Sequence, residues 1–225
     1  NNLSIENSKL LALILTDGHI EKNRKRIKIE MSKDKEWLKQ TFDEITKDFE
    51  TTTSENIKRN SITCSIRNPT TIKKFVEKYD LIPGKKSNKI EIPDQIWNAP
   101  IESIKNFISI CFDAEGDVNY NTKKNNLVIT FSTTSKIFAY QLSSILLKFK
   151  IQNHVYIYQH KKSNRSISYR VCIINYFAKK FLERIGFTLE RKQNIYNLIK
   201  NHNYENPTIY PIKIGFDIKK QIIDS

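Results

Sequence analysis

The sequence predicts an α+β fold assembled from two copies of one unit. An apolar run of helical length, residues 10–18, ends in an acid followed by glycine, and a second run with the same ending spans residues 108–116. Strand and helix patterns follow each run in the same order, and a pair of basic residues comes late in each copy. Because internal repeats report on architecture, we expect each copy to form one half of the molecule.

The plainest alternative is a pair of core helices that happen to end in Asp-Gly and Glu-Gly. Glycine often follows a helix end because it tolerates the left-handed backbone conformation. Burying an unpaired carboxylate is costly, however. Two apolar helices that both end in acids therefore suggest that Asp17 and Glu115 sit together and share something cationic.

Composition limits the classes of partner. The chain of 225 residues carries a formal net charge of +14, which predicts attraction to a polyanion. No apolar run approaches the ~18 residues of a membrane-spanning helix, and no charged segment leads into a signal-peptide core at the start. We therefore expect an intracellular protein that binds nucleic acid and does not associate with a membrane.

Cysteine and glycine usage excludes several chemistries. The three cysteines, Cys64, Cys111 and Cys172, each lie in an apolar run and are expected to be buried free thiols. The sequence has no CxxC pair, no HExxH pattern and no GxxxxGK[ST] phosphate loop. Zinc sites and nucleotide hydrolysis are therefore not expected.

The first half begins with a helix over residues 7–17, with Asn7 or Ser8 as its N-cap. Ala12 and Thr16 lie on one face of this helix, where small side chains let another helix approach closely. The other predicted elements of this half are a strand over residues 26–32, a helix from Asp34 to about residue 49, strands over 49–57 and 61–67, and a helix over 70–79.

The second half repeats this order. Its motif helix starts near Ile101 or Glu102, and a strand over 127–132, a helix over 136–149, strands over 154–160 and 166–174, and helices over 176–185 and 191–202 follow. We expect residues 1–100 to form the first half, including a connection over 88–100, and residues 101–202 the second. Residues 203–225 form a tail with an amphipathic stretch over 214–223, to which we assign no role.

The predicted strands of the first half alternate in polarity, so that Ile27, Ile29 and Met31 face the core. Their polar face suits the major groove of a duplex, which admits a two-stranded ribbon and carries the base code. An ordinary solvated sheet has the same composition. The candidate DNA-binding residues of this half are Arg26, Lys28, Glu30, Ser32, Ser61, Thr63, Ser65 and Arg67.

In the second half, aromatic and basic residues share one strand face and the turn beside it. Such residues suit sugar–phosphate and base-edge contacts, while packing at a sheet edge would explain the tyrosines equally well. The candidate DNA-binding residues of this half are Thr130, Ser132, His154, Tyr156, Tyr158, His160, Lys161, Lys162, Arg165, Ser168 and Arg170.

The paired motifs and the repeated order resemble the LAGLIDADG homing endonuclease family, in its single-chain form with two motifs, over roughly residues 8–200. The resemblance implies two pseudo-symmetric αββαββα halves with saddle-shaped antiparallel sheets and the two motif helices packed at the interface. The chain departs from the motif at Ile110, where the family has glycine, and its two copies differ where Leu15 in the first corresponds to Asp113 in the second.

The resemblance assigns metal binding and DNA cleavage to Asp17 and Glu115. Two or more Mg²⁺ ions shared by these acids would serve the attacking water and the leaving oxygen. Asp113 and Asp117 flank the second acid, but the position of Gly116 favours Glu115.

Two lysines are further candidates for catalysis. Aligning Leu81 with Phe187 also aligns Lys86 with Lys192, which match the family's basic residue near the last helix of each half. Such a lysine would stabilise developing charge on the phosphate or orient water. Ordinary basic runs that bind phosphate without catalysis explain them equally well. Ser32 and Gln193 are weaker candidates for positioning water.

The family resemblance implies a site-specific endonuclease that hydrolyses both strands of a long, asymmetric double-stranded DNA target and leaves short 3′ overhangs. The alternative is a non-cleaving binding protein of the same fold, either an intron RNA maturase or a DNA-binding regulator. We expect a monomer, with intron RNA as a further partner. The sequence has neither an N-terminal cysteine or serine nor a C-terminal His-Asn pair, so we expect a free-standing, intron-encoded protein and not an intein.

Overall fold

The computed structural model describes residues 3–32, 36–47, 50–56, 60–159 and 167–207. In the first half it contains α1 (Ile5–Leu15), β1 (Gly18–Ile20), β2 (Ile27–Ser32), α2 (Glu36–Ile45), β3 (Thr51–Asn56), β4 (Ser61–Ile66) and α3 (Pro69–Lys78). A short helix, α4 (Asp94–Trp97), follows in the connection. The second half contains α5 (Ile101–Glu115), β5 (Gly116–Asn121), β6 (Asn126–Thr133), α6 (Lys136–Leu147), β7 (His154–Tyr158), β8 (Ser168–Ile174), α7 (Asn175–Arg184) and α8 (Glu190–Ile199).

The strands form two four-stranded antiparallel sheets with the same order. The first runs β1-β2-β4-β3 and the second β5-β6-β8-β7. Each sheet follows a motif helix and is interrupted by one helix between its second and third strands. The α+β fold with two repeated halves is thus confirmed.

The two motif helices pack against each other where the halves meet. Residues 10–15 of α1 and 107–114 of α5 are buried, and together with the inner faces of both sheets they form one apolar core. Ala12 is fully buried, and the hydroxyl of Thr16 donates a hydrogen bond of 2.8 Å to its carbonyl oxygen. The two residues therefore lie above one another on one face, as predicted.

Several boundaries differ from the sequence prediction. Helix α1 begins earlier, because Ser4 is its N-cap and accepts a hydrogen bond from the backbone nitrogen of Asn7 at 3.2 Å. It also ends at Leu15, so Asp17 lies just beyond it. The sequence patterns do not predict the first strand of each sheet, β1 and β5, although residues 116–121 do alternate in burial as a strand would. The predicted cap Asp34 lies outside the described residues.

The connection between the halves is attached to the second half. Its residues Ile90, Ile92 and Ile96 are buried in the core. The backbone nitrogen of Ile92 donates to Gln141 at 2.7 Å, and the hydroxyl of Ser135 donates to the carbonyl oxygen of Ile90 at 2.7 Å. The connection therefore helps to fix how one half sits against the other.

The predicted core positions of β2 are confirmed, since Ile27, Ile29 and Met31 are all buried. Of the three cysteines, Cys64 and Cys111 are buried as expected, but Cys172 is only partly buried because it lies on the face of β8 that is turned away from the core. None of the helices in the described residues is both long enough and apolar enough to cross a membrane.

Candidate functional site

The acids at the ends of the two motif helices are both accessible. Glu115 is the last residue of α5 and is exposed, and Asp17 follows the end of α1 and is half-buried. In each copy the next residue is a glycine that begins a strand. The acids therefore stand at the point where the chain leaves a buried helix and turns into a sheet.

The two glycines are required by close approach of the backbone. A Cβ atom at Gly18 would lie 2.5 Å from the Cα atom of Ile14, and one at Gly116 would lie 2.4 Å from the carbonyl oxygen of Phe112. Gly116 has φ −93°, which is ordinary extended backbone. The left-handed conformation expected after a helix end is therefore not the reason for this glycine. A strand that starts against the last turn of its own helix leaves no room for a side chain.

Two buried lysines hold the ends of the motif helices. The Nζ atom of Lys86 donates to the carbonyl oxygen of Leu15 at 2.8 Å, and that of Lys192 donates to the carbonyl oxygens of Phe112 and Asp113 at 2.8 and 2.9 Å. The lysines are 7% and 5% exposed, whereas their basic neighbours in sequence are exposed. A cation at a helix C-terminus satisfies its unpaired carbonyls and complements the helix dipole.

Both acids act on one of these lysines. Burial lowers the pKa of Lys86 from its ordinary value to about 8, while the charges of Asp17 and Glu115 raise it. The ammonium group of Lys86 thus interacts electrostatically with the acid of each half. A cleft of about 600 Å³ is lined by Thr16 and Gly18, on either side of Asp17, and by Lys86 and Glu115. The two motif ends therefore meet at a single cleft.

The neighbouring acid Asp113 is used differently. Its carboxylate accepts hydrogen bonds from the backbone nitrogen and hydroxyl of Thr188, at 2.8 and 2.5 Å, and from the backbone nitrogen of Leu189 at 3.4 Å. Burial raises the pKa of Asp113 to about 6, and the bonds from Thr188 and the charge of Lys192 oppose this shift. Asp113 is occupied in holding the start of α8, which supports Glu115 as the second acid of the site.

Of the two weaker candidates for positioning water, Gln193 and Ser32, only the side chain of Gln193 is described by the structure. The Oε1 atom of Gln193 accepts a hydrogen bond of 2.9 Å from the backbone nitrogen of Phe187, so this side chain holds the loop before α8. The backbone of Ser32 ends β2, but its side chain lies outside the described part of the chain.

The outer face of the first sheet carries most of the predicted polar row. Lys28 pairs in register with Ser65 and His19, and Glu30 pairs with Thr63. Ion pairs join Lys28 and Arg26 to Glu21, with nitrogen–oxygen distances of 3.1 and 4.0 Å. The partly or fully exposed predicted residues here are Arg26, Lys28, Glu30, Thr63 and Arg67.

Two residues of this sheet that the sequence predicts to contact DNA are buried and not exposed. Ser61 and Ser65 are only 6% and 5% exposed. Both are short side chains on a central strand, where Ser65 lies between Lys28 and Thr52 and Ser61 donates to the Oε1 atom of Glu30 at 3.0 Å. Longer neighbours therefore cover them. The sequence pattern gives the face of a residue but not the height of the side chains around it.

The outer face of the second sheet joins aromatic and basic groups as predicted. Tyr156 pairs with Arg170 and Ser132 also pairs with Arg170, so the three form one row across β7, β8 and β6. The guanidinium carbon of Arg170 lies 5.0 Å from the centre of the Tyr158 ring, and its Nε atom donates to Ser132 at 3.4 Å. In the neighbouring row Cys172 lies between His154 and Thr130, and Ser168 pairs with Tyr158. Tyr156 and Tyr158 are about half exposed on an edge strand, so part of each ring surface remains accessible.

Four predicted contacts that follow β7 in the sequence, namely His160, Lys161, Lys162 and Arg165, lie outside the described residues. Sequence reasoning missed other residues, because it did not identify the first strand of each sheet or consider the outer face of β3. These residues point to the same outer faces, as their pairing shows: His19, Thr52, Ser54, Asn56, Asp117 and Asn119. The alternation of Asp117, Val118, Asn119 and Tyr120 is the signal that indicates β5.

The donors in the cleft suit a hard divalent cation. Asp17 and Glu115 supply carboxylate oxygens, and Mg²⁺ is usually held by one or two carboxylates together with water and phosphate oxygens. In the part of the chain that the structure describes, no cluster of three or more His, Cys, Asp and Glu residues with metal-binding geometry occurs.

Sequence comparison identifies a family model for part of the chain. Residues 102–186 match the LAGLIDADG-like domain. Two curated proteins of Methanocaldococcus jannaschii are also similar: the replication factor C small subunit, 29% identical over 227 residues, and the probable translation initiation factor IF-2, 31% identical over 135 residues. These alignments cover 97% and 60% of this chain but 11% of each relative, so the chain spans about a ninth of their length.

Solved structures share the fold. The homing endonuclease I-DmoI in mesophilic variants superposes with a TM-score of 0.59 at 16% identity, over 90% of this chain and 100% of that chain. I-DmoI in complex with DNA and manganese gives 0.57 at 16% identity, over 82% and 98%. The I-LtrWI LAGLIDADG homing endonuclease bound to its target DNA gives 0.55 at 13% identity, over 88% and 91%. Residues 102–186 therefore match the family recognised from the two motifs, and the chain has the LAGLIDADG fold.

Proposed function

With this fold as the premise, we propose that the chain is a site-specific endonuclease that uses divalent metal to cut both strands of a long, asymmetric DNA duplex. The observation that carries the proposal is the placement of Lys86, on which the charges of both Asp17 and Glu115 act in one cleft. Acids from two halves at a single cleft are the arrangement needed to reach two nearby phosphates. The net charge of +14 supplies the attraction to DNA.

Within this proposal, Asp17 and Glu115 hold two or more Mg²⁺ ions, which when bound supply a metal-activated water and stabilise the leaving oxygen. The chain's own residues prepare the site. The apolar helices keep the acids at fixed points, and the glycines bring the first strand of each sheet directly beside them. Lys86 holds the end of α1, and its positive charge interacts with both acids, which offsets part of their mutual repulsion before a ligand binds.

Lys86 and Lys192 donate hydrogen bonds to the ends of the motif helices, and we propose that they also act during cleavage. Neither belongs to a uniformly solvated basic run, since both are buried while Lys85 and Arg191 are exposed. A preorganised ammonium beside the reacting phosphate stabilises charge that develops in the transition state. The exposed neighbours are better suited to phosphate contacts that only position the duplex.

The outer faces of the two sheets are the proposed DNA-binding surface. They are unlike in sequence: the first presents Lys28, Glu30 and Thr63, and the second presents Tyr156 and Arg170. Two different faces in one chain read two different half-sites, so a monomer would recognise an asymmetric target. The 3′ overhangs, the source of the chain within an intron and a further role in binding intron RNA belong to the same proposal and follow from the family resemblance.

The test is cleavage of a plasmid library that carries long randomised target sequences, with Mg²⁺ present and then removed by chelation. We expect a small set of related sequences to be cut in both strands, and only with the metal. Asp17→Asn and Glu115→Gln should each abolish cutting while tight binding to the selected target remains. Asp94→Asn, which neutralises an exposed acid at the start of α4, is the matched control and should cut normally.

A second outcome would favour the alternative function. If the protein binds one sequence tightly but leaves the whole library uncut with Mg²⁺ or Mn²⁺, it is a non-cleaving nucleic-acid-binding protein of this fold. In that case Asp17→Asn would change little. The proposal concerns residues 1–225 alone, since they match only 11% of each curated relative and the activities in the names of those relatives belong to those proteins.

A further inference from the structure

The end of α5 and the start of α8 are joined through a buried carboxylate. Asp113 is 1% exposed, and its side chain accepts hydrogen bonds from Thr188 and Leu189, the two residues that precede α8. Thr188 and Leu189 lie just before the first turn of α8, so the acid ties the loop that leads into α8 to the end of a distant helix. The carboxylate therefore fixes where α8 begins.

A residue in the first turn of α8, Lys192, contacts the end of α5 in turn. Lys192 donates three hydrogen bonds to the backbone on both sides of Glu115: to the carbonyl oxygens of Phe112, Asp113 and Gly116, at 2.8, 2.9 and 2.6 Å. Asp113 and Lys192 thus form a closed clamp, in which the side chain of each residue binds the backbone of the other's segment. The acid Glu115 stands on the backbone that the clamp encloses.

Among its described residues, the first half has no such clamp. Leu15 occupies the position that corresponds to Asp113 and has no group that accepts a hydrogen bond in its side chain. Lys86 reaches the carbonyl oxygen of Leu15, but residues 87–89 after it form a turn where α8 stands in the second half. The two halves therefore hold their acids by different means.

We infer that Asp113 is a positioning residue for the second half of the nuclease, which sets Glu115 and Lys192 and so controls the cutting of one strand more than the other. This inference rests on the proposed nuclease function. Without the carboxylate, the donors of Thr188 and Leu189 lose their partner, and the start of α8 shifts to find water. A displacement of about 1 Å at a reacting group can cost roughly 100-fold in rate.

The test is cleavage of a supercoiled plasmid that carries the selected target, with each strand labelled. The wild-type protein should convert it to linear DNA with little nicked circle. Asp113→Ala should accumulate nicked circles, with the ratio of nicked to linear product raised roughly tenfold or more and the nick always in the same strand. Asp113→Asn, whose amide oxygen can still accept from the backbone of Thr188, should recover most of the double-strand cutting.

Two further variants separate positioning from general loss of stability. Ser109→Ala removes a buried hydrogen bond of 3.0 Å from α5 to the carbonyl oxygen of Gly186, close to the clamp but not part of it. It should lower the melting temperature without changing the ratio of the two products. Thr188→Val removes only the hydroxyl bond to Asp113 and should shift the ratio in the same direction as Asp113→Ala, by less. It serves as the test if Asp113→Ala does not fold.

The inference is overturned if folded Asp113→Ala or Thr188→Val cuts both strands in the wild-type ratio. It is also overturned if Ser109→Ala produces the same excess of nicked circles at an equal loss of melting temperature. These outcomes differ from a failure of the proposed function, in which the wild-type protein itself leaves every plasmid uncut.

Discussion

The buried ammonium group of Lys86 lies 2.8 Å from the carbonyl oxygen of Leu15, and it is also the group on which the charges of Asp17 and Glu115 both act. A single side chain thereby completes the end of the first motif helix and contributes the positive charge that both acids of the cleft face. The equivalent Lys192 donates two hydrogen bonds to the end of the second motif helix and a third to Gly116, which follows it. The repeated sequence thus places a buried lysine at the end of each motif helix, with more hydrogen bonds in the second half than in the first.

Replacing Lys86 with methionine should abolish most cleavage while leaving the fold intact. Methionine fills the same space, but it leaves the carbonyl oxygen of Leu15 without its donor, which costs about 1–3 kcal/mol. Removing a buried charge offsets part of that cost. Loss of the ammonium beside the acids should lower the cleavage rate roughly 100-fold. Single-turnover cleavage and thermal melting, measured on the same preparation, check the two effects.

Lys85→Met is the matched control for this change. Lys85 is exposed, so its loss should leave the melting temperature unchanged and should weaken DNA binding only slightly. An equal loss of single-turnover rate in both variants would show that Lys86 contributes no more than a surface charge.

Gly116→Ala should be strongly destabilising, because its new methyl group would meet backbone. The added Cβ would lie 2.4 Å from the carbonyl oxygen of Phe112 and 3.0 Å from its Cα atom, and neither can move without distorting α5. Overpacking of this kind costs about 1–3 kcal/mol and sometimes more. Chemical denaturation should show the loss, whereas Ser87→Ala, at an exposed position in a turn, should unfold like the wild type. An unchanged midpoint for Gly116→Ala would mean that the strand does not start against the helix.

Sequence patterns predict the longer helices and most strands, but not the short α4, because polarity repeats along the longer elements with a clear period. The face of β2 that contains Ile27, Ile29 and Met31 is an example. The same patterns miss β1, which is three residues long and offers too few positions to show alternation. They also misjudge Ser61 and Ser65, since coverage by neighbouring strands depends on register and not on the strand itself.

The sequence predicts the two acids of the site but not the contacts that hold them in place. Asp17 and Glu115 stand out because a carboxylate at the end of an apolar helix is unusual, and the repeat identifies both. The contacts of Lys86 with Leu15 and of Asp113 with Thr188 join residues far apart in sequence. They depend on how the helices pack, and no local pattern encodes them. For this reason the sequence shows Asp113 only as an acid close to Glu115, without its role.

The ionisation of Asp113 should make stability depend on pH between about 4 and 6. Its folded-state pKa is raised from 3.8 to about 6 by burial, so the folded state binds the proton more tightly than the unfolded chain does. Its contribution to stability is therefore fully present below pH 4 and is lost as the pH rises through 6. At 1.36 kcal/mol per pKa unit, the loss is at most about 3 kcal/mol.

Asp113→Asn provides the comparison for this pH effect, because its amide does not titrate. The free energy of unfolding of the wild type minus that of Asp113→Asn, measured by urea denaturation from pH 4 to pH 7, should fall as the pH rises. A difference that is flat, or that rises over this range, would contradict a raised pKa for this carboxyl group.

Arg170 is expected to determine the base preference at one position of the DNA target. Its guanidinium group rests on the Tyr158 ring at 5.0 Å and its Nε atom donates to Ser132, which orients the side chain before DNA arrives. The two terminal amino groups are then available to bind the O6 and N7 atoms of guanine in the major groove, a pairing that contributes about 1–3 kcal/mol of discrimination. Selection of bound sequences from a randomised library should show one guanine whose preference disappears in Arg170→Gln, while preferences elsewhere persist. Lys123→Gln, at an exposed basic position in the turn after β5, is the control and should leave every base preference in place. If Arg170→Gln instead lowers the affinity for all sequences equally, Arg170 contacts the phosphate backbone and not a base.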